Sequence, residues 1–542
     1  MRPTRYARPV VPEGQAPRAS ASETTPEAKP TAADATSGAS VVRGGIWSAA
    51  ANIFPQFFTM AVSIAGARFL GPSGLGRQSF IAFVVASAIA IFGFGLQIAL
   101  MRAVGEALGA GRAGEARGLV AWGARLSLIG GTASLAALLA AAFMGAEPRT
   151  AWILAALTAA LGVVAAVPGA ALSGLQRWRD IALVIVGCGA LGAAGTIGVL
   201  WAGGGVTGMI AAQLVTATAI FLGVTALAWR RLRAVAPTPV APPRALRRST
   251  LRYAGSAFAG SLVTLIVFRR SEFFFLQHWW NDRQTALYSV AFSAVVTLVL
   301  VPQAIATTLS PAVATLLGAG QHGRIRTGYS RSLRLLLIAS LPIAAGGLAL
   351  GPETLRLIFG AGFAGSRVPL LVLLAPFPLI PLMSLSYSLI VGLGKIRFPL
   401  VVGFASAALN IGLDLALIPG HAAVGAAIAN ACAQGATAAA TIVYGARLTA
   451  PVHWEAATLA RAAVAAALAG AVAWGALALV GGAPGVLAGL VAGAAAFAVS
   501  AARLRILPRQ DADWVEQSFG RLIGGRLGAA ARGIAAQEPV EA

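Results

Sequence analysis

From Ile46 onward the chain alternates between apolar stretches of about 20 residues and short polar breaks. A helix of that length spans the hydrocarbon core of a bilayer, which is about 30 Å thick. Helices are required there because unpaired backbone polar groups are too costly in lipid. The pattern predicts an all-α integral membrane protein of about 14 transmembrane helices. The predicted spans are 46–69, 78–100, 118–142, 150–172, 181–202, 206–228, 253–277, 285–309, 329–350, 368–391, 398–418, 423–446, 456–479 and 484–502.

Composition supports the membrane prediction and limits the role of the two cysteines. Hydrophobic residues make up 58% of the chain and charged residues only 11%, whereas a soluble domain is about 25% charged. A water-facing surface cannot be built from so few charges, so lipid must cover most of the exterior. Cys188 and Cys432 each lie alone in an apolar run, which suits neither a disulfide framework nor a metal cluster.

The positive charges that give the net charge of +23 cluster in the predicted connections between spans. This distribution does not indicate a nucleic-acid partner. Arginines are sparse in the odd-numbered connections and concentrated in the even-numbered ones, most of all in 229–252, and in the C-terminal tail 503–542. Cytoplasmic loops of membrane proteins carry this excess of Arg and Lys. The bias predicts a multi-pass protein of the cytoplasmic (inner) membrane with both termini in the cytoplasm.

Two short matches indicate an internal duplication. Residues 108–117 match 317–326, and 174–179 match 392–397, each pair separated by just over 200 residues along the chain. Parallel repeats of this kind build transporters with the substrate path between the halves. The predicted organisation has two six-helix lobes around a central cavity, followed by two additional helices. Its segments are a disordered tail 1–43, a lobe 44–228, a basic linker 229–252, a lobe 253–446, two helices in 447–502 and a basic tail 503–542.

Three stretches carry a family resemblance: Ala67-Arg-Phe-Leu-Gly-Pro-Ser-Gly-Leu-Gly76, Tyr288–Ala314 and Asn410–Ala429. In order and spacing they resemble bacterial polysaccharide and oligosaccharide flippases, over about 400 residues from Gly44 to Tyr444. That family belongs to a superfamily that includes lipid II flippases and multidrug-and-toxin extruders. The resemblance implies two six-helix lobes around a central cavity, and movement of a lipid-linked sugar between leaflets.

The seventh predicted span contains Arg269, Arg270 and Glu272, which is an unusual density of charge at membrane depth. Such groups face a cavity or a partner, since exposure to lipid is costly. One interpretation is an ion pair between Arg269 and Glu272 at i and i+3 that braces the bundle. The other is that an arginine lines the path and binds phosphate through its planar guanidinium.

Uncharged polar residues supply further candidates for substrate binding or for ion coupling. Asn52 and Gln56 share a face of the first span, and Gln303 lies in the eighth. Their amides are expected either to meet sugar hydroxyls or to hold helices together. Asn410 and Asp414 stand at i and i+4 in the eleventh span, where helix packing competes with a role in ion coupling. Glu272 is a further candidate for coupling.

The favoured function is a flippase for a polyprenyl-pyrophosphate-linked oligosaccharide in O-antigen, capsule or exopolysaccharide biosynthesis. One alternative is a lipid II flippase or a cation-coupled multidrug exporter, and another is a membrane sugar polymerase or ligase. Short outward connections and the absence of catalytic motifs from the sequence argue against an enzyme. No cofactor or metal is expected. The expected partners are the lipid-linked oligosaccharide, the bilayer, and glycosyltransferases or a polymerase of the same pathway.

Overall fold

The computed structural model describes residues 38–268, 271–307, 321–395, 397–449 and 456–507. These residues form fifteen α-helices, joined in two places by 3₁₀ turns. The helices are α1 Gly38–Gly93, α2 Leu96–Gly109, α3 Ala113–Phe143, α4 Arg149–Gly174, α5 Trp178–Trp201, α6 Gly205–Val235, α7 Arg244–Phe268, α8 Glu272–Trp279, α9 Asp282–Thr307, α10 His322–Phe359, α11 Arg367–Leu374, α12 Ile380–Gly392, α13 Arg397–Thr449, α14 Ala456–Val480 and α15 Gly482–Leu504.

Two of the longest helices are helical hairpins that each contain two predicted spans. The backbone of α1 leaves helical geometry at Gly71, where φ is 68°, and that of α13 does so at Ala422, where φ is 48°. A positive φ reverses the chain direction and suits Gly best. Within the described residues, nine helices are long and apolar enough to cross a membrane, and the bent pair 361–374 and 377–392 makes a tenth. With both hairpins counted as two crossings and α7–α9 added, the helices are compatible with fourteen spans.

Helices differ from the predicted spans mainly at their ends. Residues 38–43, assigned above to the tail, begin α1. The predicted linker 229–252 is mostly helical, since α6 runs to Val235 and α7 starts at Arg244. The apolar runs predict only the residues that cross the hydrocarbon core of the membrane. The helices are longer than these runs, because their arginine-containing ends extend into the polar headgroup region. Only the segment 236–243 is non-helical, and it is fastened to α3 by Arg117, which donates to the carbonyls of Ala236 and Pro237.

Two predicted spans are interrupted. The second breaks at Phe94 and Gly95, which both have positive φ, and the chain continues as α2. The seventh is described as α7, up to Phe268, and as α8, from Glu272, with Arg269 and Arg270 outside the described residues. The tenth bends by 45° between its two halves.

Most of the helix packing lies within one half of the chain or the other. In the first half α3 packs on α4, α4 on α6, and α1 on α5. In the second half α13 packs on α7, α8 and α12, while α14 and α15 pack on each other and on α10. The largest apolar cluster joins the two halves, because Ala67 and Leu75 of α1 lie among buried residues of α8 to α11 and α13.

Candidate functional site: a buried polar cluster

A cluster of polar side chains lies inside the bundle where the start of α8 meets both halves of α13. Its members are Ser271, Glu272, Asn410, Asp414, Asn430 and Gln434. Two are carboxylic acids, and the side chains of Glu272, Asp414, Asn410 and Asn430 all have a relative exposure of 0%. Ionisable side chains inside a membrane are costly and mark functional sites by default. We call this set the buried polar cluster.

Two amides connect the carboxylates of the buried polar cluster. The Nδ2 atom of Asn410 lies 3.0 Å from Asp414 Oδ2 and 3.3 Å from Glu272 Oε1. Asn430 donates from Nδ2 to the same Glu272 oxygen at 2.8 Å. Gln434 donates in turn to Asn430 Oδ1. The Asn410 amide nitrogen therefore bridges the two carboxylates, and Asn430 and Gln434 extend the hydrogen bonds from Glu272 along the second half of α13.

Three oxygens of the cluster are buried without a hydrogen bond among the described residues: Glu272 Oε2, Asp414 Oδ1 and Asn410 Oδ1. A buried acceptor without a donor is unfavourable, and two adjacent carboxylates repel each other unless positive charge lies between them. Oxygen atoms of carboxylates and amides are the ligands that hard cations prefer. The arrangement is therefore chemically suited to take up a proton or a small hard cation.

The chain reversal at Ala422 builds the cluster. Asn410 and Asp414 stand at i and i+4 on the first half of α13, and Asn430 and Gln434 at i and i+4 on the second half. Residues four apart lie on one helical face. The reversal lays the halves side by side so closely that a Cβ at Gly425 would lie 2.5 Å from the Leu417 carbonyl oxygen.

The cluster includes some predicted site residues and not others. Glu272, Asn410 and Asp414 come together, although the sequence placed Glu272 in a different span from the other two. Asn430 and Gln434 were missed. Their i and i+4 spacing inside the apolar run 423–446 is the signal that was available.

The remaining candidates lie elsewhere or outside the described residues. Asn52 and Gln56 belong to α1, and both side chains are exposed in the bundle. Gln303 lies in α9, but its side chain is outside the described part of the chain, as are Arg269 and Arg270 altogether. The suggested pair of Arg269 with Glu272 therefore stays a prediction.

An apolar cavity of about 600 Å³ lies between α9, α10 and α11 and the C-terminal helices α14 and α15. Its wall includes Leu298, Leu350, Leu374, Leu490 and Phe497, together with Gly and Ala. A cavity lined in this way is suited to hydrocarbon rather than to a charged group.

Comparisons with solved structures identify the fold. The chain is similar to the lipid II flippase MurJ in an inward closed conformation, with 12% identity and a TM-score of 0.64 over 84% of this chain and 98% of that one. It is also similar to an inward-facing multidrug resistance MATE transporter of the MOP superfamily, with 17% identity and a TM-score of 0.58 over 73% and 94%. A MOP superfamily transporter from Pyrococcus furiosus matches with 18% identity and a TM-score of 0.56 over 76% and 95%. The TM-scores of 0.56 to 0.64 show that these proteins share the fold of this chain.

No curated protein matches the chain. A family model described as polysaccharide biosynthesis protein matches residues 66–367, which is more than half of the 542 residues. The matched range includes the Ala67–Gly76 motif and Glu272 of the buried polar cluster. With the many apolar helices and the MOP-type fold, this match identifies the chain as a multi-pass membrane protein of the polysaccharide biosynthesis protein family.

Proposed function

We propose that the protein is a flippase that moves a polyprenyl-pyrophosphate-linked oligosaccharide across the cytoplasmic membrane, coupled to a cation or a proton. Family and fold point to a transporter of the flippase type rather than to an enzyme. The observation that carries the mechanistic part is the buried polar cluster, because its two buried carboxylates need positive charge.

Coupling follows from the position of the cluster between separate elements. Glu272 begins α8, whereas Asp414 lies on α13, and within the described residues the Asn410 amide connects them by hydrogen bonds. A cation bound by both carboxylates would hold α8 against α13, and its release would let them separate. In this way occupancy of the cluster would bias the bundle between two arrangements, as coupling requires.

Arg269 and Arg270 would bind the phosphate groups of the substrate, and both directly precede the cluster in the sequence. Guanidinium groups bind phosphate through two parallel hydrogen bonds. The exposed amides of Asn52 and Gln56 on α1 are candidates for the sugar hydroxyls, with Gln303 as a third. The apolar cavity beside α14 and α15 offers room for part of the hydrocarbon chain.

The experiment uses the full chain in vesicles that contain a polyprenyl pyrophosphate carrying a short fluorescent oligosaccharide. Movement between leaflets is read by quenching from one side under sodium or proton gradients. We expect transport by the wild type, and a loss of about tenfold or more in Glu272→Gln and Asp414→Asn, which corresponds to about 1.4 kcal/mol or more. Both substitutions keep the shape of the side chain and remove the charge that binds the cation.

Glu106→Gln is the matched control, because Glu106 forms an exposed pair with Arg102 on its own helix. It should transport at the wild-type rate. Wild-type vesicles that move no lipid-linked sugar, but expel a cationic dye along a gradient, would favour the multidrug exporter. Full transport and an unchanged gradient dependence in both cluster variants would exclude the coupling role.

A further inference from the structure

The Ala67–Gly76 motif and the adjoining Arg77 form the turn between the two halves of α1. The arginine distribution predicts that this end of the bundle faces outside, and we call it the predicted outer end. The chain reverses at Gly71, and Pro72 follows in contact range of Gly362, where an added Cβ would lie 3.1 Å from the proline ring. The turn therefore touches the second half of the chain, which none of the sequence patterns indicated.

Arg68 connects α1 to the end of α10. Its Nε donates to the carbonyl of Ile358 at 2.8 Å, and its Nη2 donates to the carbonyl of Leu357. Both acceptors lie in the last turn of α10, which ends at Phe359. Carbonyls of a last turn have no partner within the helix, and the negative end of the helix dipole attracts a cation there. Arg68 thus acts as a C-terminal cap supplied by another helix, nearly 300 residues away in the sequence.

Arg77 makes a second connection, to the first residue of α9. Its Nε lies 2.9 Å from Asp282 Oδ2. The adjacent Gly76 is in direct contact with the Asp282 backbone, so closely that a Cβ would overlap the carbonyl oxygen. The hydroxyl of Ser79, just after Arg77 in α1, lies 3.1 Å from that of Ser289, about two turns into α9 from Asp282. Both serines are buried.

We infer that Arg68 and Arg77 form an outer latch, which holds the predicted outer end closed and must release for transported material to leave. The outer latch comprises these two arginines, the Leu357 and Ile358 carbonyls and the Asp282 carboxylate. All of its contacts join the first half of the chain to the second, whose relative movement opens one side of such a transporter.

Exposure makes the latch reversible. The side chain of Arg68 is exposed, and that of Arg77 is 46% exposed. Water can therefore solvate both guanidinium groups when their contacts break, although the Asp282 carboxylate is only 11% exposed. The two arginines hold the end closed through separate contacts, so that the end can open by breaking them one after the other. The buried Ser79 and Ser289 pair lies behind them, where it becomes accessible only after the latch releases.

The first test locks the latch in a chain whose native cysteines are replaced by alanine. Ser79→Cys and Ser289→Cys are combined, and the full chain in vesicles is treated with a mild oxidant. We expect a disulfide, because the two oxygens are 3.1 Å apart, and we expect transport to stop until a reductant is added. Either single cysteine variant should keep transporting in the presence of the oxidant. Failure of the disulfide to form, or full transport with it formed, would overturn the inference.

The second test weakens the latch and measures accessibility rather than transport. The role of the latch in release rests on the proposed function, but this measurement stays informative if that function is wrong. Ser289→Cys is labelled from outside with an impermeant maleimide. Arg68→Ala and Asp282→Ala should each raise the labelling rate about twofold to fivefold, as expected for loss of an exposed polar contact. The double variant Arg77→Asp with Asp282→Arg exchanges the two charges, so its labelling rate should return toward that of the Ser289→Cys parent.

Arg149→Ala is the matched control, since Arg149 lies at the predicted outer end but contacts Phe143 of its own half. Its labelling rate should equal that of the parent. An equal rise in Arg149→Ala would mean general loosening of the fold, and unchanged rates in both latch variants would mean that the arginines hold nothing closed. Either result would reject the latch.

Discussion

At the scale of single residues, the buried polar cluster depends on very few donors. Asn410 donates hydrogen bonds to one oxygen of Glu272 and one oxygen of Asp414. Asn430 donates to Glu272. Among the described residues, one oxygen of each carboxylate has no hydrogen-bond donor. These two oxygens are the acceptors that the proposed coupling mechanism assigns to the cation.

Asn430→Ala should destabilise the protein and weaken transport together. The substitution removes the 2.8 Å hydrogen bond to Glu272 inside the bundle. Loss of one partner from a buried acceptor costs about 1–3 kcal/mol. The measurement is thermal unfolding in detergent, where the midpoint should fall, and sodium or a lower pH should recover part of the loss by neutralising the cluster. Thr59→Ala is the control, since the hydrogen bond that Thr59 makes among the described residues is to the Pro55 carbonyl of its own helix. An equal loss there would reject the explanation.

The sequence alone identified the members of the cluster that carry a charge or lie close to one in the sequence. Glu272 and Asp414 stand out because ionisable residues are rare in apolar runs, and Asn410 stands out through its spacing from Asp414. Asn430 has no charge, and an isolated amide in a span is as often a link between helices. That Asn430 faces Glu272 follows from the chain reversal at Ala422. The break between the predicted spans 398–418 and 423–446 indicated a turn there, but not which side chains the turn would bring together.

At the scale of elements, the C-terminal pair α14 and α15 shows how small residues set helix spacing. Gly485, Gly489 and Gly493 recur every four residues on α15 and are buried. A Cβ at Gly489 would lie 2.7 Å from the carbonyl oxygen of Ala473 on α14, and also 2.7 Å from Leu350 Cδ2 on α10. Association of helices in lipid relies on such close approach, because lipid tails are as apolar as leucine.

Gly489→Ala should therefore push three helices apart, at a cost of about 1–3 kcal/mol for overpacking. The expected result is a lower unfolding midpoint in detergent, with a larger loss for Gly489→Leu. Gly475→Ala on α14 is the control, because nothing lies within 4 Å of its added Cβ. If both glycines tolerate alanine equally, the pair is held by other contacts.

Hydropathy predicted which segments cross the membrane and failed to predict how they break. The break at Phe94 and Gly95 falls inside an apolar run. Apolar side chains report only that lipid or protein surrounds a segment. The backbone conformation there is decided by neighbours such as α7, whose backbone approaches Gly95 within 2.5 Å of an added Cβ.

At the scale of the whole molecule, the same connections that were sorted by arginine content also define the two ends of the bundle. The turn at Gly71 and the turn between α14 and α15 belong to odd-numbered connections. The turn between α2 and α3 and the non-helical segment 236–243 belong to even-numbered connections. Contacts respect this division, since the first connection touches the seventh and the ninth, and the second touches the sixth. Which of the two ends faces the cytoplasm stays a prediction from sequence.

Single cysteines at exposed connection residues test that sidedness in intact cells, in the background without Cys188 and Cys432. Ser73→Cys, Ala202→Cys and Ala483→Cys are each exposed in odd-numbered connections, and Ala110→Cys and Thr238→Cys in even-numbered ones. We expect an impermeant maleimide to label the first three from outside, and the last two only after the cells are opened. The physical reason is the concentration of Arg beside the even-numbered connections, since translocation of such loops is disfavoured. Outside labelling at Thr238→Cys would reverse the orientation, and would move the outer latch to the cytoplasmic side. Mixed labelling within the odd-numbered set would instead mean that the count of spans is wrong.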